Sequence, residues 1–153
     1  MERVLAPKKI LVVDSDPSMV HALRGALGFV ADVEGCADFT GARESLLRDP
    51  PDFLVTNLRL GAYNGLHLVY LAISNGRATR SVCFSTFVDL PLIHEAQSIG
   101  AFFESPSKIP HTLASYLRAP LPPRDRRIPR ATDRRREFRG GRRAGDLAPL
   151  AQA

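Results

Sequence analysis

The sequence lacks several features that would place it in a specialised class. It contains no tryptophan and only two cysteines among its 153 residues, which excludes a disulfide scaffold. No apolar run approaches the roughly 20 residues that a membrane-spanning helix needs. The first ten residues, MERVLAPKKI, lack the apolar stretch of a secretory signal. We therefore expect a cytoplasmic protein with no membrane span.

Residue patterns typical of enzymes are missing as well. There is no Ser-His-Asp set, no Gly-rich phosphate loop and no Cys or His spacing typical of a metal site. The four histidines are scattered, so we predict that they lie on the surface. Cys36 and Cys83 are expected to behave as small buried hydrophobic residues. The sequence predicts neither an enzyme nor a bound cofactor.

Charge divides the chain into two parts. Residues 119–153 contain ten arginines, no lysine and four acidic residues, whereas residues 1–118 are nearly neutral. Apolar residues make up 44% of the whole chain, close to ordinary globular usage, but strongly apolar ones become sparse after Leu121. Such a composition buries too little surface to offset chain entropy. We predict a folded domain over residues 1–118 and a disordered basic tail over residues 119–153.

Half of the residues between Arg124 and Arg143 are arginine, and three uses of this stretch stay open. It binds nucleic acid by neutralising phosphates, or it binds an acidic protein or lipid surface, or it only keeps the protein soluble. Phe138 is the lone aromatic residue that could stack on a base. The candidates for contact with a polyanion are the closely spaced arginines Arg134, Arg135, Arg136, Arg139, Arg142 and Arg143.

Short apolar runs alternate with amphipathic stretches along residues 1–118. Residues 10–13, 53–56, 82–84 and 101–103 form continuous apolar runs, which are typical of strands buried on both faces of a parallel sheet. Residues 30–36 alternate apolar and acidic side chains, as an edge strand does. Five strand–helix units in alternation predict a doubly wound α/β domain with a five-stranded parallel sheet.

The predicted helices carry their own boundary signals. Residues 18–29 place apolar side chains at helical spacing after Asp16, Pro17 and Ser18, which can begin a helix. Asp38 and Asp89 are predicted to cap the second and fourth helices. The remaining helices are expected near residues 65–75 and 111–118.

In doubly wound sheets, sites lie beyond the carboxyl ends of the strands, where the strand order reverses. This rule selects the polar residues that follow the predicted strands. They are Asp14, Ser15, Asp16, Asn57, Ser85 and Ser105.

Four segments in chain order resemble bacterial response-regulator receiver (CheY-like) domains. KKILVVDSDPSM resembles the first strand, acidic pair and helix start of that family, and PDFLVTNLRLGAYNGLHL resembles its phosphoacceptor strand with the loop and helix that follow. VCFST resembles the fourth strand with its terminal hydroxyl residue, and IGAFFESP resembles the fifth-strand segment. The resemblance covers about residues 7–118 and implies a flavodoxin-like fold of the receiver type.

The resemblance also shows what is missing at the site. Asn57 stands where the family has its phosphoacceptor aspartate, Ser15 replaces the second acidic residue, and Ser105 replaces a lysine. Ser85 matches the hydroxyl position. An amide is a poor nucleophile toward phosphorus, and a single carboxylate, or two if Asp16 turns inward, should bind Mg²⁺ weakly or not at all. We prefer an abandoned site to a rewired one.

Asp14 and the region after Asp89 carry two further predictions. Asp14 either caps the first helix or retains weak metal binding, and the sequence does not choose between these. By resemblance, the region from Asp89 to Arg118 implies a partner face, with Ile93, Phe102 and Tyr116 as candidates. Phe102 also matches the aromatic switch position of the family, but without phosphorylation we favour the role of a core or surface aromatic for it. The function predicted is a degenerate receiver, a phosphorylation-independent interaction module in phosphorelay signalling. The alternative is a nucleic-acid-associated protein that acts through its arginine tail.

Overall fold

The computed structural model describes residues 6–75 and 78–119. The elements in chain order are β1 (Lys8–Val13), α1 (Ser18–Leu27), β2 (Ala31–Cys36), α2 (Phe39–Arg48), β3 (Phe53–Asn57), β4 (Arg59–Leu60), β5 (Tyr63–Asn64), α3 (Leu66–Ser74), β6 (Arg80–Phe84), α4 (Leu90–Ser98), β7 (Phe102–Phe103), a 3-10 turn (Pro106–Lys108) and α5 (Ile109–Arg118).

Five of the strands form one parallel sheet in the order β2-β1-β3-β6-β7. The chain moves outward to β2, returns past β1 to β3, and then continues to β6 and β7. The order therefore reverses between β1 and β3, which is where a doubly wound sheet opens a site. The two remaining strands, β4 and β5, form a short antiparallel hairpin beside this point.

Apolar side chains of the sheet pack on both of its faces. Ile10 and Val12 of β1 join the core beneath α1 and α5, whereas Leu11 and Val13 join the core beneath α2, α3 and α4. This alternation follows from the two-residue period of a strand. Full burial of each such side chain stabilises the fold by about 1.5–3 kcal/mol. The predicted five-stranded α/β architecture is confirmed.

The predicted edge strand and two helix caps are also confirmed. In β2 the buried Ala31 and Val33 alternate with exposed acidic residues. Asp38 accepts a hydrogen bond from the Gly41 amide at 2.7 Å, and Asp89 accepts one from the Leu92 amide at 3.3 Å. These side chains satisfy amides that have no partner within the helix.

Some predicted boundaries are wrong by a few residues. The first helix ends at Leu27 rather than at residue 29, and Phe29 lies in the following turn with 97% of its surface exposed. The last helix begins at Ile109 rather than at residue 111, because Pro110 is compatible with a first helical turn.

The predicted disordered tail begins at residue 119, and residues 120–153 lie outside the described residues. Within residues 6–75 and 78–119, no helix is both long and apolar enough to cross a membrane.

Candidate functional site

The six predicted site residues follow the ends of four parallel strands. Asp14 follows β1, Asn57 ends β3, and Ser85 and Ser105 come after β6 and β7. The strand register pairs Asn57 with Phe84, and Cys83 with Phe103, so these ends lie along one edge of the sheet. Asp14 and Asn57 are in direct contact.

Both ends of the Asn57 amide are hydrogen-bonded. Its Nδ2 donates to Asp14 Oδ1 at 3.2 Å, and its Oδ1 accepts from the Arg59 backbone amide at 3.0 Å. Asn57 and Asp14 are 9% and 8% exposed, so both lie almost entirely out of water. Because a carboxylate only accepts and a backbone amide only donates, these two partners fix the orientation of the Asn57 side chain.

Asn57 is enclosed from the side of α3 by Gly65. A Cβ atom built on Gly65 would lie 2.3 Å from the Asn57 carbonyl oxygen and 2.7 Å from Thr56 Oγ1. The Gly65 amide also donates to the Leu58 carbonyl at 2.9 Å. The start of α3 therefore approaches the end of β3 so closely that only glycine fits without a shift of the backbone.

Asp14 does not cap α1 with its side chain. Besides the Asn57 amide, its Oδ1 accepts from the Asp16 amide at 3.3 Å, within the loop before the helix. The Asp16 carboxylate accepts instead from the amide and the hydroxyl of Ser18 at 2.9 and 2.7 Å. These bonds hold the pKa of Asp16 below its usual value. Asp16 is exposed and is held by Ser18, so it is not turned inward beside Asp14.

Ser85 uses its hydroxyl within its own loop. The hydroxyl donates to the Phe87 carbonyl at 2.6 Å and accepts from the Phe87 amide at 3.3 Å. Its single proton is therefore committed to this turn. Ser85 is half-buried. It follows Phe84, which pairs with Asn57 at the end of β3, so Ser85 lies beside that strand end.

Ser105 is exposed and precedes the 3-10 turn that leads into α5. Its carbonyl accepts from the Lys108 amide at 3.0 Å, and its side chain makes no capping bond. The neighbouring Glu104 amide donates to the Cys83 carbonyl at 3.0 Å, which continues the pairing of β6 with β7. Ser105 thus brings a neutral hydroxyl, and no cation, to this edge of the sheet.

The chemistry available at this edge follows from these placements. Asp14 is the one buried carboxylate at the ends of the strands in the described part of the chain. Among residues 6–75 and 78–119, no group of three His, Cys, Asp or Glu side chains could hold a metal ion. Asn57, Ser15, Ser85 and Ser105 are neutral. The arrangement can hold itself together by hydrogen bonds, but it provides little charge to stabilise a dication or a phosphoryl group.

A shallow cleft of about 200 Å³ opens on the other side of Asp14, between the start of α1 and the end of β2. Ser15, His21, Arg24 and Cys36 line it together with Asp14. The Arg24 side chain is tied to the sheet, since its Nε donates to the Val33 carbonyl at 3.2 Å. Burial is the main cause that raises the pKa of the Cys36 thiol, and the nearby carboxylates of Glu34 and Asp38 raise it further. Asn57 does not line this cleft.

The three residues proposed as a partner face do not share one surface. Phe102 and Ile93 are only 6% and 8% exposed, and they belong to the cores on opposite faces of the sheet. Tyr116 is half-buried and contacts Phe102, with ring centroids 5.5 Å apart. Phe102 is therefore a core aromatic, and the side chains of Phe102 and Ile93 are both buried in this structure.

Two charged residues near the site were not predicted as part of it. Arg59 Nη2 lies 3.3 Å from Asp89 Oδ2, which joins the β4–β5 hairpin to the start of α4. Asp89 was predicted only as a helix cap, and Arg59 was not singled out. Thirty positions separate the two residues, and no local pattern in the sequence links them.

Among the comparisons with known proteins, only the solved structures bear on the architecture. No family model matches the sequence, and no curated protein matches it either. Solved structures do match. The signal receiver domain of a LuxO repressor protein from Vibrio parahaemolyticus is 15% identical, with a TM-score of 0.66, covering 74% of this chain and 92% of that one.

Two further receiver structures match as well. A CheY-like response regulator receiver domain from Methanospirillum hungatei is 17% identical, with a TM-score of 0.66, covering 74% of this chain and 95% of the other. The signal receiver domain of an HD domain-containing protein from Pseudomonas fluorescens is 22% identical, with a TM-score of 0.66 and coverages of 74% and 93%. The chain therefore has the flavodoxin-like fold of response-regulator receiver domains.

Proposed function

We propose that this chain is a degenerate receiver domain that acts as a phosphorylation-independent protein-interaction module in phosphorelay-type signalling. Receiver domains are generally signalling modules that work through other signalling proteins, and the similar structures are named as receivers. The observation that carries the proposal is the hydrogen bond from Asn57 Nδ2 to Asp14 Oδ1 at 3.2 Å.

That bond places a neutral donor at the residue where an acceptor carboxylate would be needed. The lone pair of an amide nitrogen is delocalised, and its oxygen is a weak nucleophile, so Asn57 cannot form an acyl phosphate. The same N–H group occupies Asp14 Oδ1, an oxygen that a metal ion would need. The residue at the acceptor position and the remaining carboxylate are thus hydrogen-bonded to each other.

The other polar residues at the strand ends do not supply the charge that Asn57 lacks. Asp16 is bonded to Ser18, the Ser85 proton is committed to Phe87, and Ser105 is an exposed neutral hydroxyl. A phosphoryl group would therefore meet a serine instead of a lysine at position 105, and little bound Mg²⁺, to offset its charge. The receiver fold persists as a scaffold because its two apolar cores do not depend on these polar groups.

The direct test is incubation of the full chain with a small acyl-phosphate donor and Mg²⁺, followed by intact mass spectrometry. We expect no base-labile phosphoryl addition. The matched positive variant carries Asn57→Asp, Ser15→Asp and Ser105→Lys together, which supplies nucleophile, second acid and cation, and we expect it to gain one phosphoryl group. A phosphoryl addition to the unchanged protein that maps to residues 53–60 would overturn the proposal.

A second candidate function rests on the arginines of residues 124–143. Ten positive charges in twenty residues suit a polyanion, and arginine pairs with phosphate through two parallel hydrogen bonds. In this alternative the receiver fold is a scaffold and the tail binds a nucleic-acid backbone. Both functions can coexist, since they use different parts of the chain.

A further inference from the structure

The turn between α1 and β2 exposes two neighbouring apolar side chains. Phe29 and Val30 are 97% and 62% exposed, and we call these two residues the apolar turn. Its backbone is fixed, because the Gly28 amide donates to the Arg24 carbonyl and the Val30 amide donates to the Leu27 carbonyl, both at 3.0 Å. A phenylalanine ring offers more apolar surface for burial than most other side chains. The apolar turn is therefore a prepared surface for a further chain segment.

The apolar turn lies at the same end of the molecule as the end of α5. The five strands of the sheet are parallel, and α1 and α5 pack on one of its faces in contact with each other. Val30 directly precedes β2, whose first residue pairs with the first residue of β1. Tyr116, near the end of α5, stacks on Phe53, the first residue of β3, with ring centroids 6.5 Å apart. Both helices therefore end at the edge where the strands begin.

The chain leaves α5 in an extended conformation. Ala119 has φ −122° and ψ 136°, as expected of a residue that precedes proline. The next four residues, Pro-Leu-Pro-Pro at positions 120–123, lie outside the described residues, and we call them the proline strap. Their sequence favours the polyproline helix, in which four residues span about 12 Å at about 3.1 Å each. Neighbouring packed helices lie about 8–10 Å apart, so the strap is long enough to cross the end of α1.

The proline strap suits the apolar turn better than other occupants do. Its three prolines have little backbone freedom to lose on docking, and proline-rich segments pack well on aromatic side chains. The arginines that follow could only add exposed ion pairs, which contribute little. A second copy of the chain competes poorly, because the tether keeps the strap beside the turn at an effective concentration in the millimolar range.

We propose that the proline strap packs across Phe29 and Val30, with the Leu121 side chain against the Phe29 ring. The contact is made within one chain and is held by apolar burial rather than by charge. It goes beyond the proposed function and does not rest on it, because neither Asn57 nor Asp14 takes part.

The strap fixes where the arginine segment leaves the domain. Arg124 follows it directly and lies at the edge where the strands begin, whereas Asn57 ends β3 at the opposite edge. A polyanion held by the first arginines of the tail would therefore lie away from the strand-end site.

Tryptophan fluorescence of the full chain tests the contact from the side of the turn. The sequence contains no tryptophan, so Phe29→Trp introduces a single reporter. We expect its indole to be shielded from acrylamide, and to become more strongly quenched, with red-shifted emission, when Leu121→Ser and Pro122→Ser are added. Loss of the buried leucine should lower the ratio of docked to free strap about tenfold or more. The matched control, Phe87→Trp, reports from an exposed position at the opposite edge of the sheet and should not respond to these two substitutions.

A reporter in the strap tests the contact from the other side. Leu121→Trp should be shielded in the full chain and should become accessible to acrylamide when Phe29→Ser is added. Phe87→Ser, which removes another exposed aromatic side chain, should leave the shielding unchanged. Circular dichroism of these variants should match that of the unchanged chain, because neither Phe29 nor Phe87 belongs to the two cores.

The outcomes separate a strap from other occupants. Shielding that persists on about a hundredfold dilution supports a contact within one chain, because a tethered segment is not diluted. Shielding that fades on dilution means that a second copy covers the turn, and it overturns the proposal. Equal quenching of Phe29→Trp with and without the strap substitutions overturns it too, as does a Leu121→Trp reporter that does not respond to Phe29→Ser. None of these results affects the proposed function, which fails only if the unchanged chain accepts a phosphoryl group at the site.

Discussion

Asn57 Nδ2 lies 3.2 Å from Asp14 Oδ1 and donates to it across the junction of β3 and β1. The amide N–H group places partial positive charge against Asp14, the one buried carboxylate at the strand ends in the described part of the chain. Together with the Asp16 amide, which donates to the same oxygen at 3.3 Å, this donor satisfies Asp14 Oδ1 inside the fold.

Asn57→Asp should therefore destabilise the protein. Two carboxylates about 3 Å apart cannot both ionise easily, so at least one carboxyl pKa should rise above its usual value of about 4. A raised folded-state pKa gives stability that is present below pH 4 and is lost as pH rises through that pKa. Urea unfolding should show a small loss near pH 4 and a loss of about 1–3 kcal/mol at pH 7.

The matched control for that substitution is Asn64→Asp. Asn64 Oδ1 accepts from the Leu66 amide at the start of α3, and an aspartate would keep this bond. We expect a near-neutral effect at both pH values. Adding Mg²⁺ should recover part of the stability of Asn57→Asp but not alter Asn64→Asp. Equal stability of the two variants at pH 7 would contradict the account of the Asn57–Asp14 contact.

Gly65→Ala tests the close approach of α3 to β3. The new methyl group would lie 2.3 Å from the Asn57 carbonyl oxygen, so the backbone must shift, at a cost of about 1–3 kcal/mol. Gly25→Ala is the control, because a Cβ there meets nothing within 4 Å and alanine favours the helix by about 0.5–1 kcal/mol. Thermal unfolding should rank Gly25→Ala above the unchanged chain and Gly65→Ala below it; the reverse order would refute the geometry.

The two thiols should react very differently. Cys83 is wholly buried, and burial raises its pKa to about 12, whereas Cys36 is half-buried with a pKa raised to a lesser degree. A thiol reagent should modify Cys36 slowly, faster as the pH rises, and should reach Cys83 only after unfolding. Cys36→Ser should remove the native-state reaction; a second thiol that reacts in the folded protein would contradict the burial of Cys83.

Cys83 should also contribute to loss of stability in alkali. Its raised folded-state pKa gives stability that is complete below the unfolded value near 8.5 and is lost as pH rises toward about 12. Cys83→Ala should therefore flatten the dependence of unfolding free energy on pH between about 9 and 11, relative to the unchanged chain. Parallel curves for the two proteins would show that other groups account for the alkaline loss.

The arginine tail predicts a particular salt dependence. If about six arginines neutralise phosphates, the logarithm of affinity for duplex DNA should fall against the logarithm of salt concentration with a slope of about −5. Serine replacement of the arginines in residues 124–143 should abolish binding, whereas Asn57→Asp should leave it unchanged. Tight binding that is insensitive to salt would exclude this use of the tail.

The architecture was predictable because it depends on repeated local signals. Apolar runs, helical spacing and the capping residues Asp38 and Asp89 specify most element types along residues 6–119 without knowledge of distant contacts. The five strands were each predicted within a few residues. The exposed position of Phe29 was not predicted. The helical spacing of apolar residues continues to Phe29, although the helix ends at Leu27 and a turn begins at Gly28.

The sequence predicted which residues form the site but not which hydrogen bonds they make. The rule of strand ends selected Asp14 and Asn57, yet nothing in the sequence says that the Asn57 amide bonds to Arg59 as well as to Asp14. The partner-face candidates show the same limit. Phe102 and Ile93 were placed on one face by resemblance, but the two-residue strand period and the packing of α4 direct them into different cores.

The two edges of the sheet also bear on how the protein behaves at high concentration. The outer strand β2 carries the exposed charges of Asp32 and Glu34, and the other outer strand, β7, pairs over only two residues. Charged or very short edges offer a poor template for the addition of a further strand. Repetitive edge-to-edge stacking into fibrils is therefore disfavoured at both ends of the sheet, and any association of this domain must use side-chain surfaces instead.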